Sequence, residues 1–305
     1  MRIRAETPHD YPAIAAVHAR AFDFRAMEAM LVALMRNRAA FDPDLSLVAE
    51  IDGQIVGHAL FSPQSIRLLG QPVRAVLMGP LGVDPAAQKQ GVGGALMRAG
   101  HEIAREKGYA LSFLLGHPSY YPRFGYQTNV YGNASVLVRK RDLPDPQTLL
   151  ARPPIERDVP TLRTLWEHEE GGVDFSIEPG GALLDWISPN PAVKAAVFMR
   201  DDTVVGYVRW DVEHGVHMFC AADADAARGM AAYIGDSYPD IDEFRLPLHP
   251  YSASASAFGV AECSAWDAGM ACPLAPSPYD DFIARLQAGE RLPGRPIWGV
   301  EFELE

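Results

Sequence analysis

Between Leu77 and Gly94 the chain reads LMGPLGVDPAAQKQGVGG. An apolar run enters Asp84-Pro85, then Gln88-x-x-Gly91-x-Gly93-Gly94, and an amphipathic segment from Gly91 to Lys107 starts within those glycines. Residues without a Cβ let a backbone turn tightly and bring its N–H groups against a ligand. A helix that starts there adds N–H groups with no intrahelical partner and the positive end of its dipole. Together these suit a phosphate or pyrophosphate held by main chain rather than by lysines and arginines. The segment is not GxxxxGK[ST], because no Lys-Ser/Thr follows the glycines. Nor is it the dinucleotide GxGxxG, whose glycine spacing and downstream acid are missing. An ordinary strand–turn–helix with glycines for packing is the competing interpretation.

A second stretch bears on chemistry: Gly116-His117-Pro118-Ser119-Tyr120-Tyr121-Pro122-Arg123-Phe124-Gly125-Tyr126. His117 is of a residue type that can act as a general base, while the aromatic residues serve either packing or proton donation. Upstream, Gly79-Pro80 interrupts an apolar strand, Arg74 to Val83. Proline removes a ladder N–H and glycine permits a bulge, so this strand is expected to splay from the one at Ala110–Leu115. The resulting wedge suits an extended ligand carrying amides.

The positioning elements follow from periodicity. Thr7 or Asp10 caps a helix with Ile14, Val17, His18 and Ala21 at helical spacing. A second helix covers about 25–38, with Met27, Met30, Leu31 and Leu34 on one face. Leu47–Ile51 and Gln54–Phe61 flank Asp52-Gly53, a hairpin signal. The helix over 91–107 turns Leu96, Ala99, Gly100 and Ile103 inward, and Asn133–Val138 closes the unit. Residues 140–153, with three prolines, read as a linker. The second half echoes the first. Asp10-x-Pro12 returns as Asp158-x-Pro160, Asp52-Gly53-x-x-Val56-Gly57 as Asp201-Asp202-x-x-Val205-Gly206, and His117-Pro118 as His249-Pro250. Their common order points to a duplicated domain. Trp298 to Leu304 alternates, which predicts a half-buried strand with Glu301, Glu303 and Glu305 facing out. Glu167, Glu169, Glu170 and Asp174 form either a solvated helix face or an acidic rim for a cationic acceptor.

The segment Gln88-x-x-Gly91-x-Gly93, with Tyr121 four residues before Gly125-Tyr126, resembles the acyl-CoA signature of the GCN5-related N-acetyltransferases. The resemblance covers about 1–139. It implies an α/β fold with a mixed sheet, present as a tandem duplication. The domains would be a catalytic unit at 1–139, the linker at 140–153, and a degenerate copy at 154–305. By the same resemblance the co-substrate is acetyl-CoA. The backbone of Leu81, Gly82 and Val83 would pair with its pantetheine amides. The stretch Gln88, Lys89, Gln90, Gly91, Val92, Gly93 and Gly94 would hold its pyrophosphate, and Arg123 would touch a phosphate. Tyr121 would protonate the departing thiolate, with Tyr120 pointing elsewhere. Many members carry a glutamate on the strand before the loop, and this chain has none there. His117 and the carboxyl terminus at Glu305 are the remaining candidates for the base. The acceptor groove would come from about 22–40 and the second domain. That domain lacks QxxGxG, and Asp223 and Asp225 stand where a pyrophosphate would lie, so it is expected to bind no acyl-CoA.

Composition narrows the classes. The 305 residues are 48% hydrophobic and 22% charged, with a net charge of −12. The only basic cluster is Arg139-Lys140-Arg141, which speaks against a nucleic-acid partner. No apolar run is long enough for a membrane span, and the polar start Met1–His9 shows no signal peptide. Three cysteines without CxxC spacing argue against a disulfide framework and a metal site and suit the cytoplasm. The leading expectation is direct transfer of acetyl to a primary amine of a small molecule or peptide. A non-catalytic acyl-CoA-binding module and a plain two-domain interaction protein are the alternatives. A homo-oligomer is compatible with the sequence.

Overall fold

The computed structural model describes residues 1–144 and 149–304. In chain order its strands are β1 (Arg2–Ala5), β2 (Ser46–Ile51), β3 (Gln54–Leu68), β4 (Gln71–Val83), β5 (Leu111–Leu115), β6 (Gly132–Arg139), β7 (Leu150–Arg152), β8 (Ser176–Ile177), β9 (Lys194–Arg200), β10 (Thr203–Trp210), β11 (Val216–Ala221), β12 (Glu243–Leu246), β13 (Glu262–Ala265) and β14 (Gly269–Pro273). The helices are α1 (Tyr11–Ala21), α2 (Met27–Arg36), α3 (Val92–Glu106), α4 (Val159–Glu170), α5 (Ala224–Gly235) and α6 (Tyr279–Gln287). Among the described residues no helix is long and apolar enough to cross a membrane.

Local signals place the first elements. Asp10 accepts from the Thr7 amide at 2.7 Å and is paired with Arg4 at 2.7 Å, fixing the entry to α1. The Asp52-Gly53 turn has φ of 50° and 78°, the left-handed pair that a tight hairpin needs. On α2 the fully buried residues are Val32 and Met35, while Met30, expected on the inner face, is exposed. α3 packs as expected, with Leu96 buried. Gly100 lies so close to the Phe61 ring that a Cβ would meet it at 2.0 Å.

The main sheet runs β1-β2-β3-β4-β5-β14, with β8 pairing β3. β3 and β4 pair along most of their length. The register slips where Gly79-Pro80 lies, so that Ala59 faces Leu81 while Phe61 faces Met78. β4 and β5 are parallel and pair only from Ala75–Leu77 to Leu111–Phe113. Beyond that point they part, as the Gly79-Pro80 interruption predicts.

Strand pairing runs across the boundary expected at 139–154. β5 is apolar and nearly all buried, and its second edge needs main-chain partners. β14 supplies them, from Gly269 opposite Leu115 to Pro273 opposite Leu111. β6 does not close the first sheet. It is the centre of a separate three-stranded sheet, β12-β6-β13.

A four-stranded sheet, β11-β10-β9-β7, holds the second half, with α4 and α5 packed on it. The sequence echo has a structural counterpart. Arg152 grips Asp158 at 2.6 Å and the Ile155 amide donates to the same carboxylate, as Arg4 and Thr7 do with Asp10. Gly57 meets Val92 on α3, and Gly206 meets Met230 on α5, each too closely for a Cβ.

Two expectations for charged residues fail. Residues Val300–Phe302 form a 3-10 turn rather than a strand, and Glu301 and Glu303 are buried. Glu301 pairs with Arg38 and Glu303 with Arg209 at 2.5 Å, so charges distant in sequence overrule the alternation. Glu305 lies outside the described residues, as does part of the 140–153 linker. Glu169, Glu170 and Asp174 form neither a solvated face nor a rim. All three are buried: Glu170 pairs with Arg295, Asp174 pairs with Arg291 at 2.6 Å, and Glu169 accepts from Ser254 Oγ at 2.7 Å. Cys220, Cys263 and Cys272 are free thiols, and burial pushes Cys272 up to about 11.

Candidate active site

Where β4 and β5 part, a cavity of about 990 Å³ opens. One wall is the end of α1 and the start of α2, with Phe22 and Glu28. The second is β4 from Met78 to Val83 with the loop into α3. The third is the turn after β5, from Leu115 to Phe124.

The loop is built for exposed N–H groups. Asp84 Oδ1 accepts from the Ala86 amide at 3.0 Å, and Arg20 holds the Asp84 carboxylate at 2.7 Å. Gln88 Nε2 donates to the Val83 carbonyl at 3.2 Å and so ties the loop back to β4. Lys89 and Gly91 adopt left-handed φ of 61° and 84°, which turn the chain into α3. Gly91 is the N-cap and no side chain caps the helix. The amides of Val92, Gly93 and Gly94 therefore have no partner within α3. Gly94 lies beside Arg98 and Phe124, whose nearest atoms would stand 3.3 Å and 3.6 Å from a Cβ.

Most of the residues expected here line the cavity: Leu81, Val83, Gln88, Lys89, Gly91 to Gly94, His117, Tyr121 and Arg123. Two do not. Gln90 turns back, its Nε2 donating to the Ala86 carbonyl at 3.0 Å. Gly82 is buried with its open side toward α1, where a Cβ would stand 2.8 Å from His18 Nδ1. That imidazole is held by His58, Nε2 to Nδ1 at 2.8 Å.

The third wall sets the tyrosines. The His117 carbonyl accepts from the amides of Tyr120 and Tyr121, at 2.9 Å and 3.4 Å, and Gly125 ends the turn with φ of 91°. The Tyr121 ring covers Gly116 so closely that a Cβ there would lie 2.2 Å from Cε2. Beneath it, Tyr126 is anchored by Ser112 Oγ at 2.6 Å and His101 Nε2 at 3.0 Å. The Tyr121 hydroxyl makes no hydrogen bond to a described residue, and burial pushes its pKa up to about 12. Tyr120 does not point elsewhere. It lines the same cavity, its hydroxyl lies against Gly93, and Arg123 stacks on its ring at 4.6 Å. The His117 side chain is exposed, whereas His249, its supposed counterpart, is buried with Nε2 on the Pro293 carbonyl at 3.1 Å.

Sequence reasoning missed Arg98, turned Tyr120 away from the site, and gave Phe22 and Glu28 only as part of a groove at about 22–40. Arg98 lies one turn beyond Gly94 on α3, and helical spacing from the glycines would have found it. Acetyl-CoA fits this site. Uncapped α3 amides and the cations Lys89, Arg98 and Arg123 suit phosphates, the glycines leave room for close approach, and the parted strands leave a slot for an extended chain.

The equivalent helix start in the second half carries a side-chain cap. Asp223 caps α5, its Oδ1 accepting from the Ala226 amide at 2.8 Å, and Arg200 pairs with the same carboxylate at 2.8 Å. Among the described residues the cavity is lined only by residues 21–124, so the second half does not wall the groove. It braces β5 from behind through β14, with Cys272 under the Phe124 carbonyl at 3.5 Å.

The family described as "Acetyltransferase (GNAT) domain" matches residues 2–128. "Uncharacterized N-acetyltransferase YjhQ" of Escherichia coli K12 is 42% identical over 112 residues, 36% of this chain and 61% of that protein, so the match spans less than two thirds of it. "Uncharacterized N-acetyltransferase YhbS" of the same strain is 39% identical over 128 residues, 42% of this chain and 74% of that protein. A GCN5-related N-acetyltransferase from Kribbella flavida aligns at TM-score 0.71 and 19% identity, over 88% of this chain and 70% of that one, so the fold likeness takes in both halves. With a relative at this identity covered over most of its length, the chain belongs to the GCN5-related N-acetyltransferase family.

Proposed function

We propose that this chain transfers acetyl from acetyl-CoA directly to a primary amine of a small molecule or peptide. The observation that carries the reading is the shared cavity. It brings the uncapped start of α3, the parted edge of β4 and the Tyr121 hydroxyl together.

Each residue has a part. The α3 amides from Val92 to Gly94, with Lys89, Arg98 and Arg123, neutralise the phosphates. The freed main chain of β4 at Leu81–Val83 pairs with the pantetheine amides, and one N–H there polarises the thioester carbonyl. Acetyl-CoA supplies the activated acyl group. The neutral amine attacks that carbonyl, a C–N bond forms and the C–S bond breaks. Tyr121, held protonated by burial, gives its proton to the departing sulfur. The proton shed by the amine leaves through solvent, with exposed His117 to accept it, and Tyr121 takes a proton back from solvent before the next turnover. Because Asp223 fills the start of α5, the second half is a degenerate copy that binds no acyl-CoA.

Free thiol released from acetyl-CoA over a panel of primary amines, with Tyr121→Phe as control, tests the reading. Amine-dependent release that falls in the control supports it. Binding of acetyl-CoA without release to any amine would instead favour the non-catalytic module.

A further inference from the structure

Five glycines stand in the described lining of the cavity: Gly79, Gly91, Gly93, Gly94 and Gly116. Four of them have a structural reason. Gly91 has a left-handed φ of 84°, and at Gly93, Gly94 and Gly116 a Cβ would stand 2.7 Å, 3.3 Å and 2.2 Å from the side chains of Tyr120, Arg98 and Tyr121. Gly79 has neither reason. Its φ lies outside the left-handed region, so the register slip beside it does not demand a glycine. The residue is half-buried, yet a Cβ there would meet nothing within 4 Å. A strand glycine without a packing or conformational need marks room for a ligand. The walls of that room are apolar. Met78 and Pro80 flank Gly79 on β4, and Leu115 stands on β5 with 45% of its surface exposed. Leu77 and Phe113 are the last residues that β4 and β5 pair. Gly79 and Leu115 each lie two residues further on, so strand alternation sets them on one face, across the parted strands from each other.

We infer that this room takes the acyl tail of the co-substrate, and that the site accepts propionyl and butyryl groups as well as acetyl. This inference rests on the acetyltransferase reading above, which sets the direction of the co-substrate. The phosphates lie at the start of α3, beyond Val83. The pantetheine runs back along Val83–Leu81, so its acyl end arrives beside Gly79. An acetyl group has one methyl to set against Leu115. Butyryl has two methylenes more, and each one buried against apolar surface adds to affinity. The missing Cβ at Gly79 lets the tail lie against β4. The transfer itself is unchanged: the amine nitrogen bonds to the acyl carbon, the C–S bond breaks, and the departing sulfur takes the Tyr121 proton.

Calorimetric titration of the full chain with acetyl-, propionyl- and butyryl-CoA tests it, together with thiol release from each over the panel of primary amines. Wild type should bind butyryl-CoA at least as tightly as acetyl-CoA and release thiol from all three. Gly79→Ala fills the room without touching a described residue, so its thermal melting should match wild type. It should bind butyryl-CoA at least fivefold more weakly, with acetyl-CoA affinity changed less than twofold. Leu115→Ala, which removes the facing wall, should weaken butyryl-CoA more than acetyl-CoA. Equal losses for the three acyl-CoAs in Gly79→Ala would overturn the inference, as would a wild type that binds butyryl-CoA more weakly than acetyl-CoA or releases thiol from acetyl-CoA alone. A wild type that binds none of the three, or releases thiol from none, would instead remove the acetyltransferase reading beneath it.

Discussion

The hydroxyl of Tyr120 rests against Gly93: a Cβ on that glycine would stand 2.7 Å from the oxygen, with the ring's Cζ at 3.8 Å. The phosphate-facing helix and the tyrosine turn thus meet at Gly93, next to the approach of Phe124 to Gly94. Gly93→Ala should displace Tyr120 and weaken acetyl-CoA binding at least tenfold. Because alanine is the better helix former by about 1 kcal/mol, stability should hold or rise. Adding Tyr120→Phe removes the clashing oxygen, so the double variant should regain most of the affinity. A double-mutant cycle read by calorimetry and thermal melting checks both, and additive losses would count against the contact.

Tyr121 is expected to act in the chemical step alone. Tyr121→Phe should lower kcat by roughly a hundredfold, the lower end of general-acid contributions, with acetyl-CoA affinity nearly unchanged. Burial disfavours the phenolate and holds the hydroxyl protonated until about pH 12. A pH–rate profile of wild type should therefore show no alkaline fall caused by Tyr121 below about pH 11.

Acid sensitivity should come from neutral buried histidines. Desolvation lowers His18 to about 3 and both His101 and His249 to about 4. Below pH 6.5 the unfolded chain takes up protons that the folded chain refuses. Stability is thus full above that pH and falls as pH drops toward 3–4. Urea unfolding at pH 7.5 and 5.5 should show a loss of about 1 kcal/mol for each of these histidines. His18→Asn should lessen the loss, and an unchanged pH dependence would contradict the neutral burial.

Much of the site could be read from residue types. The glycine run before an amphipathic helix, the Gly79-Pro80 interruption and the tyrosines ahead of Gly125 are local signals with local consequences. What was illegible depends on contacts far along the chain. The alternation at Trp298–Leu304 imitates a strand, but Glu301 and Glu303 answer to Arg38 and Arg209. Glu170 on α4 and Asp174 beyond its end look solvated until Arg295 and Arg291 arrive from the C-terminal segment. The boundary at 139 followed composition, whereas β14 returns to β5 from far along the chain, with Gly269 opposite Leu115. Glu28 is one acid in a helical stretch, and only the fold shows which cavity it faces.

The second half should contribute stability rather than a second site. Asp223→Ala removes the α5 cap and its pairing with Arg200, and should cost about 1 kcal/mol. Thermal melting checks the loss, and acetyl-CoA stoichiometry should not change.

Isothermal titration of the full chain with acetyl-CoA tests the central claim most directly. One site per chain at micromolar affinity, weakened at least tenfold by Gly93→Ala, is the predicted result. Two sites per chain would contradict the reading of the Asp223-capped start of α5 as unable to hold a pyrophosphate, and no binding at millimolar acetyl-CoA would contradict the assignment of the cavity itself.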